Sequence, residues 1–515
     1  MTDIAESSRK ETLDKDLDKI VNVEEAANLV ARGLVAPGFG LLFLALTAVA
    51  TAIYTSGEAG AVAIVAAAAI GAYMALNIGA NDVANNVGPA VGARAMTMLG
   101  ALAIAAVFEA AGALIAGGDV VETISSGIVP PASIADAATF IRLMIAALIS
   151  SALWINLATL IGAPVSTTHS VVGGVLGAAV AAAGFAAVDW PVIGSIALSW
   201  VVSPLLGGVM AALLLAFLKA AIIYQDDKIT AARRWVPLLI ALMAGTFAAY
   251  LALKGLTRVL PMDEGRIALL GLGVFALVWL AARSHVAHLS RGMENRNQSL
   301  RRLFNLPLII SAALLSFAHG ANDVANAIGP VAAIVGAARG HAGAEAVAVP
   351  LWVMLIGAVG ISIGLLLFGP RLVRMVGEQI TRLNPMRAFC VALSTALTVI
   401  VASQLGLPVS STHIAIGAIF GVGFFREWYT ANSRRRRAYL ERKAARDRAV
   451  REANGIARAR NGDDEDDLVP LSREEAVRRR LVRRAHVTTI VAAWVTTVPI
   501  SALLAAAIFG AIGLF

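Results

Sequence analysis

The chain is poor in charge and has almost no cysteine. Of its 515 residues, 15% are charged and 58% are hydrophobic, with a mean hydropathy of +0.77. A soluble globular domain is nearer a quarter charged and half apolar, so a soluble enzyme is excluded. The lone cysteine, Cys390, rules out an internal disulfide and leaves the redox compartment unreadable. The start, MTDIAESSRKETLDKDLDKIVNVEEAANLVARG, carries many acids and lacks the short apolar core of a secretory signal. It reads as a polar cytoplasmic tail over residues 1–33. The formal net charge is +8, yet a nucleic-acid partner is rejected. The basic residues fall in loops between apolar blocks, where membrane topology places them.

What the chain does have is apolar blocks of about 18–25 residues, the length that crosses a bilayer as helix. They predict an all-α polytopic membrane protein with about 12–13 membrane segments, some of them re-entrant hairpins. Loops 219–234, 283–302, 370–387 and 426–485 are rich in Lys and Arg, whereas loop 117–136 has neither. From a cytoplasmic N-terminus every basic loop falls inside, and the C-terminus falls outside. The expected organisation is an extra N-terminal span at 34–58, a first repeat at 60–218, and linking spans with basic cytoplasmic loops at 219–303. A second repeat follows at 304–425, then a charged cytoplasmic insertion at 426–485 and a C-terminal span at 486–515. The bacterial inner membrane is the expected location, and a homodimer the expected assembly.

Two segments occur twice. GANDVANNVGP begins at residue 79 and GANDVANAIGP at residue 320; nine of eleven positions agree. GAPVSTTH (162–169) and GLPVSSTH (406–413) agree at six of eight. The separations, 241 and 244 residues, are nearly equal, which marks an internal duplication. One span after the first GANDVAN lies the loop without Lys or Arg; one span after the second lies an arginine-rich loop. The second repeat is therefore expected to be inverted, a signature of secondary transporters.

The motifs carry ion chemistry. On a helix Asn81, Asp82 and Asn85 share a face, as do Asn322, Asp323 and Asn326. Gly88-Pro89 and Gly329-Pro330 are expected to break those helices at the midplane. Ser166, Thr167 and Thr168, with Ser410, Ser411 and Thr412, follow a proline where a helix begins. Helix N-termini offer unpaired N–H groups and partial positive charge, and hydroxyls add donors for an oxyanion. No Lys or Arg lies in any of the four motifs. A carboxylate beside an oxyanion needs a cation or a shared proton between them. Asp82 and Asp323 therefore imply anion uptake coupled to Na⁺ or H⁺, with Glu109 a further coupling residue inside its span. A carboxylate can accept from a P–OH of phosphate, which sulfate lacks near neutral pH. His169 and His413 are open between a proton relay and a structural role. Glu122 and Glu378 read as capping acids.

These motifs, together with FEAAGA (108–113) and ALSTALTVIVAS (392–403), resemble the inorganic phosphate transporter (PiT) family of sodium- or proton-coupled phosphate symporters. The resemblance covers residues 60–425 and the last span. It implies inverted repeats with interrupted helices and re-entrant hairpins, and phosphate held between the halves. Carried over, it implies phosphate contacts from Asn81, Asp82, Asn85, Ser166, Thr167, Thr168, Asn322, Asp323, Asn326, Ser410, Ser411 and Thr412. Na⁺ is placed at Asn81, Asp82, Asn322 and Asp323. No cofactor is implied beyond the co-transported Na⁺ or H⁺. Animal members carry a glutamate two residues after a GF-type start; here Ala392 stands in that place. Three rivals stay open: a sulfate or other oxyanion symporter of the same architecture, a passive channel, and an intramembrane hydrolase using Ser166 and His169.

Overall fold

A computed structural model describes residues 34–58, 60–161, 165–258, 260–340, 349–379, 383–454 and 484–514. The expected polar tail, the first hairpin tip at 162–164 and residues 455–483 of the insertion lie outside the described residues. The rest is helical. The long helices are α1 (Leu34–Tyr54), α2 (Ala61–Gly92), α3 (Met98–Ala116), α5 (Ala137–Ile161), α6 (Thr167–Ala183) and α7 (Trp190–Leu218). A short α4 (Gly118–Glu122) runs into a π-helical turn (Thr123–Gly127) between α3 and α5. Then come α8 (Lys228–Lys254), α9 (Glu264–Leu289), the short α10 (Asn297–Leu303), α11 (Asn305–Ala338), α12 (Leu351–Gln379), α13 (Pro385–Gln404), α14 (Ser411–Asn432), α15 (Arg434–Asn454) and α16 (Arg484–Ile512). Among the described residues, 11 helices are long and apolar enough to cross a membrane, so this is a multi-pass membrane protein. At 17 residues, α6 is too short to be counted among them.

α11 is the axis of the bundle. It packs against α2, α3, α5, α12 and α13, and 89% of its most apolar window is buried against 11% for α9. α9 leans chiefly on α8 and turns leucines such as Leu269, Leu272 and Leu277 outward, as a lipid-facing helix should.

The duplication reappears as packing. α3 crosses α11 so closely that a Cβ at Gly320 would lie 2.0 Å from the Glu109 carbonyl oxygen. The duplicate crossing, α12 on α2, puts a Cβ at Gly79 2.0 Å from the Ile361 carbonyl oxygen. Small residues let backbones approach where lipid supplies no hydrophobic drive between helices. α14 meets α7 and α6 meets α16 in the same way.

One expectation is overturned. Gly88-Pro89 and Gly329-Pro330 do not break their helices: α2 runs 32 residues and α11 runs 34, both straight through the prolines. A buried proline loses its own N–H and disturbs one turn, and surrounding helices tolerate that in a membrane. The prolines instead withhold an amide from the carbonyls one turn back, at Asn85 and Asn326. Among the described residues, helix is interrupted at the second hairpin tip, between α13 and α14, as at other connections.

Candidate functional site

The Asp/Asn faces of α2 and α11 meet the N-termini of α6 and α14. Ser166 and Ser410 are the N-caps of those two helices, their hydroxyls accepting from the backbone N–H of His169 and His413 at 3.2 and 3.3 Å. That geometry starts each helix beside the carboxylates and brings the next hydroxyls to them. Thr412 donates to Asp82 Oδ1 at 3.1 Å and accepts from Asn85 at 2.8 Å. Thr167 donates to Asp82 Oδ2 at 3.3 Å, and Ser411 to Asp323 Oδ2 at 3.1 Å. Asn326 donates to Thr168 at 3.1 Å and to Thr167 at 3.4 Å. Asn81 donates to Asp82 Oδ1 at 3.2 Å. Side chains that are hundreds of residues apart in sequence thus share one polar centre, and each hairpin helix supplies hydroxyls to it.

Asn322 stands apart. Its amide reaches Ser403 Oγ at 2.9 Å and the Leu407 carbonyl at 3.1 Å, and its oxygen accepts from Val409 N–H. Through these bonds it holds the hairpin tip.

The residue missed by sequence reasoning is His319. It is fully buried on α11, one turn before Asp323. Its Nε2 lies 2.9 Å from Asp323 Oδ2 and 3.8 Å from Asp82 Oδ2, and its Nδ1 lies 3.4 Å from Glu109 Oε2. An oxygen of Asp82, an oxygen of Asp323 and an imidazole nitrogen all fall within 4.8 Å of one another. Asp82 and Asp323 are each 1% exposed and Glu109 is 0% exposed. Burying carboxylates this close together is costly without a cation or a proton among them. Asn86, also missed, donates to Glu109 Oε1 at 2.7 Å. The signal was available: a histidine inside an apolar span is a functional candidate by default.

The hydrolase arrangement is absent here. Ser166 meets the His169 backbone, while the His169 ring packs against His413 at 4.6 Å and Trp200 at 3.8 Å between centroids. Glu122 is exposed at the end of α4, in the position before the π-helical turn, and its side chain makes no cap hydrogen bond there. Ala392 is buried on α13.

A polytopic helical membrane protein with paired carboxylates, helix N-termini and hydroxyls around a dry centre is built as an ion carrier. The comparisons give the carrier its class. Residues 78–505 match the phosphate transporter family, and the chain belongs to that family, which excludes the hydrolase reading. A Helicobacter pylori protein named "Putative phosphate permease" is 44% identical over 97% of this chain and 99% of its own length. One of the same name from Thermococcus kodakarensis is 40% identical over 69% of this chain and 87% of its own length. Among solved structures, "The sodium-dependent phosphate transporter" superposes with a TM-score of 0.74 at 32% identity, covering 88% of this chain and all of the other.

Proposed function

We propose that the protein imports inorganic phosphate across the bacterial inner membrane by cation symport with alternating access between two inverted repeats. The observation that carries this is the double cradle. Thr167 from one hairpin, and Ser411 and Thr412 from the other, lie at hydrogen-bond distance from Asp82 or Asp323, and Thr168 beside them accepts from Asn326. Phosphate would take the place of those mutual bonds. Its oxygens accept from hydroxyls and first-turn amides, while a P–OH donates to a carboxylate. Sulfate offers no such proton and would leave a buried carboxylate unpaired.

The cation sits among Asp82, Glu109, His319 and Asp323. Two versions have support. The structural relative is titled sodium-dependent, and oxygen-rich sites suit hard cations. Against that, His319 already stands between the carboxylates, and an imidazolium there would face a carboxylate from each ring nitrogen. On that geometry a proton can replace the metal ion. Labelled phosphate uptake into proteoliposomes separates them: first with a Na⁺ gradient at equal pH, then with a pH gradient and no Na⁺. Accumulation in the first assay alone assigns Na⁺, and in the second assigns H⁺. Accumulation in neither refutes symport.

A further inference from the structure

The second hairpin tip is non-helical backbone packed among the helices of a membrane protein, where buried polar groups need partners. Four successive carbonyls each accept from a different side chain. Gly406 accepts from Thr123 Oγ1 at 2.7 Å, Leu407 from Asn322 Nδ2 at 3.1 Å, Pro408 from Trp200 Nε1 at 2.9 Å and Val409 from Thr168 Oγ1 at 3.0 Å. The amides are also used: Gly406 bonds Ser403 O, Leu407 bonds Ala402 O and Val409 bonds Asn322 Oδ1, while proline has none. The four donors come from the π-helical turn, α11, α7 and α6.

Asn322 and Thr168 belong to the doubled motifs. Thr123 and Trp200 do not, and neither touches the carboxylate cluster. Trp200 does a second thing: its ring meets His169 edge-on at 3.8 Å and 84°. One indole thus holds the tip of the second hairpin and the first turn of the helix in the other.

We infer that Thr123 and Trp200 are positioning residues for phosphate. By holding carbonyls four and two residues before Ser410, they fix where the α14 N-terminus and its hydroxyls point. The inference rests on the reading of Ser411 and Thr412 as half of the phosphate cradle. A tip that loses a donor must shift to recover a partner, and those hydroxyls shift with it. The fold itself keeps its helices and its helix–helix glycine contacts.

Thr123→Val removes the hydroxyl at nearly constant shape, and Trp200→Phe keeps a ring on His169 while removing the N–H. In proteoliposomes each raises the KM for phosphate about tenfold, the effect of losing one buried hydrogen bond, with Vmax held; Thr123→Ser restores the wild-type KM. A second readout uses the lone cysteine. In a Cys390→Ser background, Leu407→Cys reports the tip, and Thr123→Val speeds its labelling by a small methanethiosulfonate. Wild-type KM in both variants, or a fall in Vmax at unchanged KM, overturns the assignment. If Trp200→Phe folds poorly, Thr123→Val decides. If the unmodified protein moves no phosphate, the cradle reading fails, and an unchanged labelling rate would then also overturn the claim that Thr123 holds the tip.

Discussion

Replacing His319 by glutamine tests the coupling site directly. Glutamine keeps a polar side chain of similar size and removes the group that can carry a positive charge. The imidazole it replaces is faced by Asp323 at 2.9 Å, Glu109 at 3.4 Å and Asp82 at 3.8 Å, all essentially without solvent. Removing one partner of a buried, charge-paired group costs about 3–5 kcal/mol, because the remaining charge is stranded. The lower bound, about 3 kcal/mol, is about a hundredfold in binding or rate. The substitution leaves the helix packing in place, so the variant is expected to fold while its site lacks the positive charge an imidazole can carry. The assay is the initial rate of labelled phosphate uptake in proteoliposomes across a series of external pH values, with internal pH followed by an entrapped dye. Uptake driven by a pH gradient is expected to fall about a hundredfold, and proton entry accompanying phosphate to disappear. Uptake within a few-fold of wild type with the same pH profile would refute the placement of His319 at the coupling site.

Asp82→Asn and Asp323→Asn are each expected to fold, by size exclusion and circular dichroism, yet fail to accumulate phosphate; wild-type accumulation by both removes the assigned roles. Sulfate at a concentration equal to phosphate is expected to leave phosphate uptake unchanged, and equal competition would show that no P–OH to carboxylate bond discriminates. Gly320→Ala places a Cβ 2.0 Å from the Glu109 carbonyl, an overpacking worth about 1–3 kcal/mol. It should lower the melting temperature in detergent and weaken transport by moving Glu109 from His319; an unchanged melting temperature would contradict the crossing geometry.

Much of the site was legible because it is written twice. Doubling turned an Asn/Asp pair and a hydroxyl run into evidence, and the structure brings those residues together at Asp82 and Asp323. Residues present once were harder to see. Thr123 and Trp200 act through single donors on backbone carbonyls, which no spacing rule reveals. The Gly-Pro pairs misled for the opposite reason: a proline marks a local loss of one amide, and whether a helix ends there is decided by the neighbours that pack around it.

The places where the duplication fails are the more informative ones. Moving by the 241-residue offset of the motif, His319 corresponds to Ile78, and Asn86 to Ala327. The paired crossings set Glu109 against Ile361, since Gly320 meets the Glu109 carbonyl as Gly79 meets that of Ile361. So the same helix crossing is polar in one copy, with Asn86, Glu109 and His319 joined, and apolar in the other, with Ala327, Ile361 and Ile78 all buried. A buried ionisable cluster is costly, and a symmetric phosphate cradle does not require it on either side. On the proposed reading, its presence on one side alone makes the ligand site twofold and this cation site single. A phosphate held by both halves therefore meets the His319–Glu109 charge from one direction only, so the two halves respond unequally when that charge changes. If the protein works by the proposed alternating access, this asymmetry would give the cation a means of biasing which side of an otherwise duplicated structure opens.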